Sequence, residues 1–208
     1  MNILEQIASG EGPIVVPLSV EQYHKMISNG ILREGDSIEL IDGILVRKDR
    51  ADQGGDPMSH GPRHAFTLKR LQRQFRQVEE EGFHLHSQLP VTLDGIQEPE
   101  PDLAVVRGRE EDYEQRHLGP ADIAAILEVS DSSLALDRTS KQRLYANAAI
   151  AIYWIVNLVE NQVEVYEEPQ PGAGKYGRRT DYRPGQSVTL ALGPDLSIDV
   201  VVAELLPA

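Results

Sequence analysis

Apolar residues recur along the chain in two rhythms. After Ser19, residues Val20, Tyr23, Met26 and Ile27 follow helical spacing. Ser19 with Gln22 forms a capping-box pattern, which predicts a helix ending near Gly30. Ala65, Leu68, Leu71, Phe75 and Val78 predict a second helix. It opens at Pro62, a favoured first-turn residue, and stops at Gly82. Ile38-Glu-Leu-Ile41 and Ile44-Leu-Val46 flank Asp42-Gly43 and predict a hairpin over 37–48. Further strands are expected over 83–93, about 96–106, 123–129, 150–158, 162–167, 175–182 and 188–192. Period-two alternation in 162–167 predicts a half-exposed strand. A third helix runs from about Asp137 to Ala148, and Ile198–Leu206 closes the chain as a strand and a helical turn. Breakers gather at 49–62, 107–120 and 169–174, which read as loops, and in residues 1–17, which read as a partly ordered arm. Strands and helices interleave, so the class is α/β (α+β), a mixed sheet in one domain over 18–208.

Two of these apolar strands carry acids. Asp102 follows Pro101 and opens the run Leu103-Ala-Val-Val106. Proline suits a strand start, and an acid there is either a solvated strand end or a ligand. Glu128 sits inside Ala124-Ala-Ile-Leu-Glu-Val129, where no polar residue is expected. A buried carboxylate needs a partner, either a lysine or arginine or a metal. On neighbouring strands, Asp102 and Glu128 would form a site for a divalent cation. Ser130 shares the face of Glu128. Downstream, Asp137, Lys141 and Tyr145 recur at steps of four and share a helix face. From one helical turn in, the flexible lysine could reach a phosphate or a water beside Glu128. Glu39 interrupts Ile38-Glu-Leu-Ile41 much as Glu128 does, and His64 sits near the start of the long helix. His84 and His86 share a strand face and could chelate a metal, but no third ligand is near. Lys69, Arg70, Arg73 and Arg76 form the densest basic cluster, a solvated helix face or a phosphate-tracking one.

Composition narrows the classes. The chain has 208 residues, 40% hydrophobic and 25% charged, as expected of one soluble domain. No apolar run approaches membrane-spanning length, and the first twelve residues lack a secretory pattern. With no cysteine there is neither a disulfide frame nor a thiolate metal site, and a cytoplasmic home is the simplest expectation. Lys and Arg number 20 against 33 Asp and Glu, a net charge of −13. That opposes non-specific grip on nucleic acid, unless a local basic patch or a dimer supplies the contact.

Taken together, several motifs resemble the Uma-two family of restriction-type endonucleases, a branch of the PD-(D/E)XK nuclease superfamily. They are Glu39-Leu-Ile-Asp-Gly43, Arg63-His64, Glu100-Pro-Asp-Leu-Ala-Val-Val106, Leu127-Glu-Val-Ser130, Ser133, Asp137, Lys141, Tyr145 and Tyr153-Trp-Ile-Val156. The resemblance covers roughly residues 18 to 206 in the same order. It implies a restriction-endonuclease-like mixed sheet flanked by helices. It also implies a Mg²⁺ site, with Mn²⁺ as possible substitute, held by Asp102, Glu128 and the main-chain carbonyl of Val129. In the superfamily a lysine stands two residues after the second acid; here that place holds Ser130, and the resemblance implies that Lys141 takes the role. Glu39 and His64 are then expected at the rim. The expected activity is hydrolysis of DNA phosphodiester bonds to 5′-phosphate and 3′-hydroxyl ends. The apolar content of 150–166 suggests a homodimer. The alternative is a restriction-like fold kept as a binding or assembly module.

Overall fold

The computed structural model describes residues 12–33, 36, 38–47 and 61–207. Residues 1–11 of the expected arm at 1–17 and most of the expected loop at 49–62 lie outside them. Helix α1 spans Val20–Ser28. Its capping box is closed, with the Gln22 N–H donating to Ser19 Oγ at 3.1 Å and the Ser19 N–H to Gln22 Oε1 at 2.8 Å. Strands β1 (Ile38–Ile41) and β2 (Ile44–Arg47) pair as an antiparallel hairpin. Its turn residues Asp42 and Gly43 have φ of 53° and 70°, the left-handed pair that a tight hairpin turn needs. Pro17 lies so close that a Cβ at Gly43 would stand 2.3 Å from its Cβ. Gly43→Ala is therefore expected to cost roughly 1–3 kcal/mol, lowering the thermal midpoint by about 5 °C, as read by circular dichroism.

Helix α2 (Pro62–Phe75) continues as a 3-10 turn over Arg76–Glu81, and Gly82 at φ 82° ends it. The main sheet has the order β3 (Phe83–His86), β4 (Leu103–Arg107), β5 (Ile123–Ser130), β6 (Ile152–Asn157), β7 (Gln162–Gln170) and β8 (Lys175–Tyr182). All neighbours are antiparallel except β5 and β6. A parallel pair needs a crossover, and here it is the helical stretch 134–147, α3. That stretch has three parts: Leu134–Leu136, a π turn over Asp137–Lys141, and Gln142–Asn147. Strands β9 (Ser187–Ala191) and β10 (Ser197–Val201) form a second hairpin, followed by α4 (Val202–Leu205).

Alternation along the central strands sends side chains to opposite faces. Leu103, Val105, Leu127, Val129, Trp154 and Val156 pack on Leu68, Leu71 and Phe75 of α2 and on the β9–β10 hairpin. Ala104, Val106, Ile126, Tyr153 and Ile155 pack on Leu144, Tyr145 and Ala146 of α3. Helix α1 and β1 share a small cluster of Val20, Tyr23 and Leu40. Glu98 pairs with Leu40 as an isolated bridge, which joins the first hairpin to the chain leading into β4.

Several expectations need correction. The strand predicted over 83–93 stops at His86, because Gln88 turns the chain with φ 53° and the next backbone N–H groups bond to loop carbonyls. The acid-bearing strand begins at Leu103, since Pro99 and Pro101 carry no N–H for a ladder. Helix α3 starts at Leu134, three residues early. Strand β7 reaches Gln170 and buries Gln162–Tyr166 on both faces. Tyr153 to Leu158 are buried in the sheet centre, while Val159, Glu160 and Asn161 at the following turn are exposed. Among the described residues no helix is long and apolar enough to cross a membrane.

Candidate active site

Strands β4 and β5 pair with Leu103 opposite Leu127 and Ala104 opposite Ile126. The next residues outward, Asp102 and Glu128, therefore face each other and share the sheet face of Ala104 and Ile126. They are 3% and 1% exposed. Each acid is bound by the other's strand. The Asp102 N–H donates to Glu128 Oε2 at 3.1 Å, and the Val129 N–H donates to Asp102 Oδ2 at 2.9 Å. Within a strand the N–H and C=O of one residue point the same way, so the Val129 carbonyl is directed to the Asp102 side as well. His64, at the start of α2, reaches the same Asp102 oxygen with Nε2 at 2.9 Å.

The π turn aims Lys141. The Gln142 N–H bonds to the Asp137 carbonyl five residues back, which widens the helix and turns Asp137 and Lys141 together toward the sheet. Lys141 is 2% exposed, with Nζ 2.9 Å from Glu128 Oε1 and 3.3 Å from Glu39 Oε2. Burial disfavours its charge, but the carboxyls of Glu128, Glu39, Asp137 and Asp102 outweigh this and hold its pKa well above the usual lysine range. The ammonium thus stays charged near neutral pH. Tyr145 donates its OH to Glu128 Oε1 at 2.8 Å; burial, then the nearby Glu128, pushes its pKa well up, so it is a neutral donor.

Glu39 is not at the rim. Strand β1 carries it to the centre with no exposure. Oε2 accepts the Glu100 N–H at 3.0 Å, while Oε1 is buried without a hydrogen-bond partner. Ser130 lies two residues beyond Glu128 on β5. Its Oγ donates to Asp137 Oδ2 at 2.6 Å, and Ser133 Oγ donates to the same atom at 2.7 Å. These bonds pin the π turn to β5. Burial raises the Asp137 pKa, against Lys141 and the two hydroxyls, which lower it. A carboxyl raised on folding contributes stability below its unfolded value and loses it as pH climbs through the folded one. The midpoint of Asp137→Asn relative to wild type should therefore rise from about pH 4 to pH 7. A relative fall in a pH series of melts would mean that Lys141 and the hydroxyls win.

The other candidates lie elsewhere. His84 Nδ1 meets the Gly108 carbonyl at 3.0 Å and His86 Nε2 the Pro90 carbonyl at 3.3 Å, and among the described residues the two belong to no group of three metal-ligating side chains. In the basic cluster of α2, Arg70 binds the carbonyls of Ala203, Glu204 and Leu206 and caps the C-terminal turn.

Among the described residues no three His, Asp or Glu side chains form a ready-made metal cage. The donors present are two facing carboxyls and a backbone carbonyl, with the bare Oε1 of Glu39 close by. That set suits Mg²⁺, which keeps several waters and takes one or two carboxylates. Among the described residues, the buried carboxyls of Glu39, Asp102, Glu128 and Asp137 gather near the Lys141 ammonium, with His64 on Asp102. The donor set fits a hard divalent ion.

Sequence reasoning missed two features. Gln88 places Nε2 3.5 Å from Asp102 Oδ1; no periodicity marks it, since it lies on an irregular turn. Glu164 is fully buried opposite Ile155 and accepts from Arg138, Asn157 and Tyr166. Burial opposes its charge, yet these donors keep its pKa below the usual range. It anchors α3, through Arg138, to β7.

No curated protein matches the chain. A crystal structure from Anabaena variabilis ATCC 29413, described as "a putative nuclease belonging to DUF820", is similar to it at a TM-score of 0.67 and 16% identity, covering 91% of this chain and 97% of that one. At that identity the likeness shows the fold. The family model described as "Putative restriction endonuclease" matches residues 20–201, which include every acid of the site, and the chain belongs to that family, Uma2.

Proposed function

We propose that this protein is a Mg²⁺-dependent endonuclease that hydrolyses DNA phosphodiester bonds, with Mn²⁺ as a possible substitute. One observation carries the reading: two buried carboxyls face each other across β4 and β5, and the Lys141 ammonium is clamped to one of them at 2.9 Å. Asp102, Glu128 and the Val129 carbonyl would hold the ion. When bound, the ion supplies Lewis-acid polarisation of the scissile phosphate and a more acidic water. Lys141 is charged and cannot serve as a base. It stabilises negative charge as it builds on the phosphoryl oxygens. Tyr145 and Lys141 orient Glu128, and His64 and the Val129 N–H orient Asp102. Ser130 and Asp137 keep the π turn in place, so that Lys141 is preorganised. Two copies acting together would cut both strands.

Supercoiled circular DNA tests the reading. With Mg²⁺ the wild-type protein should nick or linearise it and leave 5′-phosphate and 3′-hydroxyl ends; with EDTA it should not. The observation that favours the alternative is that −13 net charge surrounds a lysine already engaged by two acids. Retention of DNA without cleavage at any divalent ion would support that binding module.

A further inference from the structure

A cleft of about 640 Å³ opens between α1 and the turn at 88–90. Ile27, Leu32 and the half-exposed Leu89 give it an apolar wall. His24 and His117 line it, with ring centroids 4.9 Å apart and planes tilted by 42°. Glu98 lies beneath them, with Oε1 on His24 Nε2 at 2.7 Å and Oε2 accepting from Thr92 Oγ1 at 2.6 Å.

Gln88 joins this cleft to the acids. It lines the cleft, yet its Nε2 is 3.5 Å from Asp102 Oδ1. Its backbone has φ 53°, uncommon for a residue with a side chain. Its N–H bonds at 3.1 and 3.2 Å to the carbonyls of Pro101 and Asp102 hold it there. Such strain concentrates at functional positions. A ligand in the cleft would be one side chain away from the candidate metal carboxylate.

The lining selects the ligand. Asp36, Glu98 and Glu100 outnumber Arg33 as charged groups, so a phosphate is repelled. A flat neutral heterocycle fits the apolar wall, stacks on imidazole rings and falls within the usual size of small-molecule sites. Carboxylates accept from exocyclic amino groups, as in readout of cytosine. We propose that this cleft binds a nucleobase beside the cleaved phosphate, preferring bases with an exocyclic amine, and that Gln88 is a positioning residue linking its occupancy to Asp102. The identity of the ligand rests on the nuclease reading.

The probe is a single-stranded oligonucleotide carrying 2-aminopurine at each position in turn, with Ca²⁺ replacing Mg²⁺. Wild type should change the fluorescence at one position. Ser28→Trp, which fills the cleft from the end of α1, should abolish the change, and Leu89→Trp at the exposed lip should do the same if the first variant does not fold. In cleavage assays, an abasic site at that position should raise KM about tenfold for wild type and not for the filled variants. Gln88→Ala should raise the Mg²⁺ concentration for half-maximal rate and lose discrimination between cytosine and thymine there. Cleavage by wild type with no fluorescent position and no abasic effect would overturn the cleft while sparing the nuclease reading. Absence of cleavage would overturn the nuclease reading, and the fluorescence would still decide the cleft.

Discussion

Replacing Lys141 with Met is expected to lower the thermal midpoint by roughly 10 °C and the cleavage rate by about 10²–10³-fold. The stability effect follows from burial. Lys141 is 2% exposed and is the ammonium between Glu128 and Glu39, which are equally inaccessible. Removing one partner of a buried ion pair typically costs 3–5 kcal/mol, because the other charge is stranded. Glu128 Oε1 would lose the ammonium and keep the Tyr145 hydroxyl, and Glu39 Oε2 would keep the Glu100 N–H. The usual expectation that a catalytic lysine can be removed without harm to folding therefore does not apply here. A divalent ion should restore part of the loss in the variant, since it supplies positive charge to the same carboxyls. The effect should be level with pH across the neutral range. A lysine whose folded pKa is raised gives its full stability below the unfolded value, about 10.5, and loses it only as pH rises through the folded value. Scanning calorimetry of both proteins with and without Mg²⁺ checks this. An unchanged midpoint would mean that the ammonium is not where the geometry has it.

The second large effect concerns Asp102→Asn. In wild type, saturating Mg²⁺ should raise the midpoint by roughly 5–10 °C, the shift that mass action gives at about a hundred times the dissociation constant. The variant should lose most of that shift, because a ligand charge is gone. Without metal it should melt at or above wild type. The amide oxygen can still accept from Val129 and His64, and one of four crowded carboxyls has been removed. Melting both proteins at fixed ionic strength separates binding from screening. Equal shifts would show that the cation acts on the general excess of negative charge.

Much of the fold was legible because its signals are local. The capping box at Ser19, the Asp42-Gly43 turn and the Gly82 stop each specify a backbone geometry, and each is realised. The facing of Asp102 and Glu128 was legible from acids in apolar runs, which have few structural explanations. What stayed hidden depends on tertiary context. The rim position of Glu39 came from the resemblance, whereas its place inside an apolar strand pointed to burial; the chain at 98–100 packs over it and buries it. The early start of α3 and its π turn came from bonds among Ser130, Ser133 and Asp137 that no helical period encodes. The run 162–166 alternates polar and apolar, yet both faces are covered, because Arg138 and Asn157 satisfy Glu164 from inside. Gln88 was invisible because its role rests on a backbone conformation.

The most direct test of the central claim is the initial rate of cleavage of an end-labelled DNA duplex by wild type and Glu128→Gln as Mg²⁺ is raised from zero. The amide keeps the size of the side chain but removes the charge that meets Lys141 and the ion. The account predicts a rate that rises and saturates for wild type and falls at least about 10³-fold for the variant at every Mg²⁺ concentration. Equal rates for the two proteins, or wild-type cleavage that persists without any divalent ion, would contradict it.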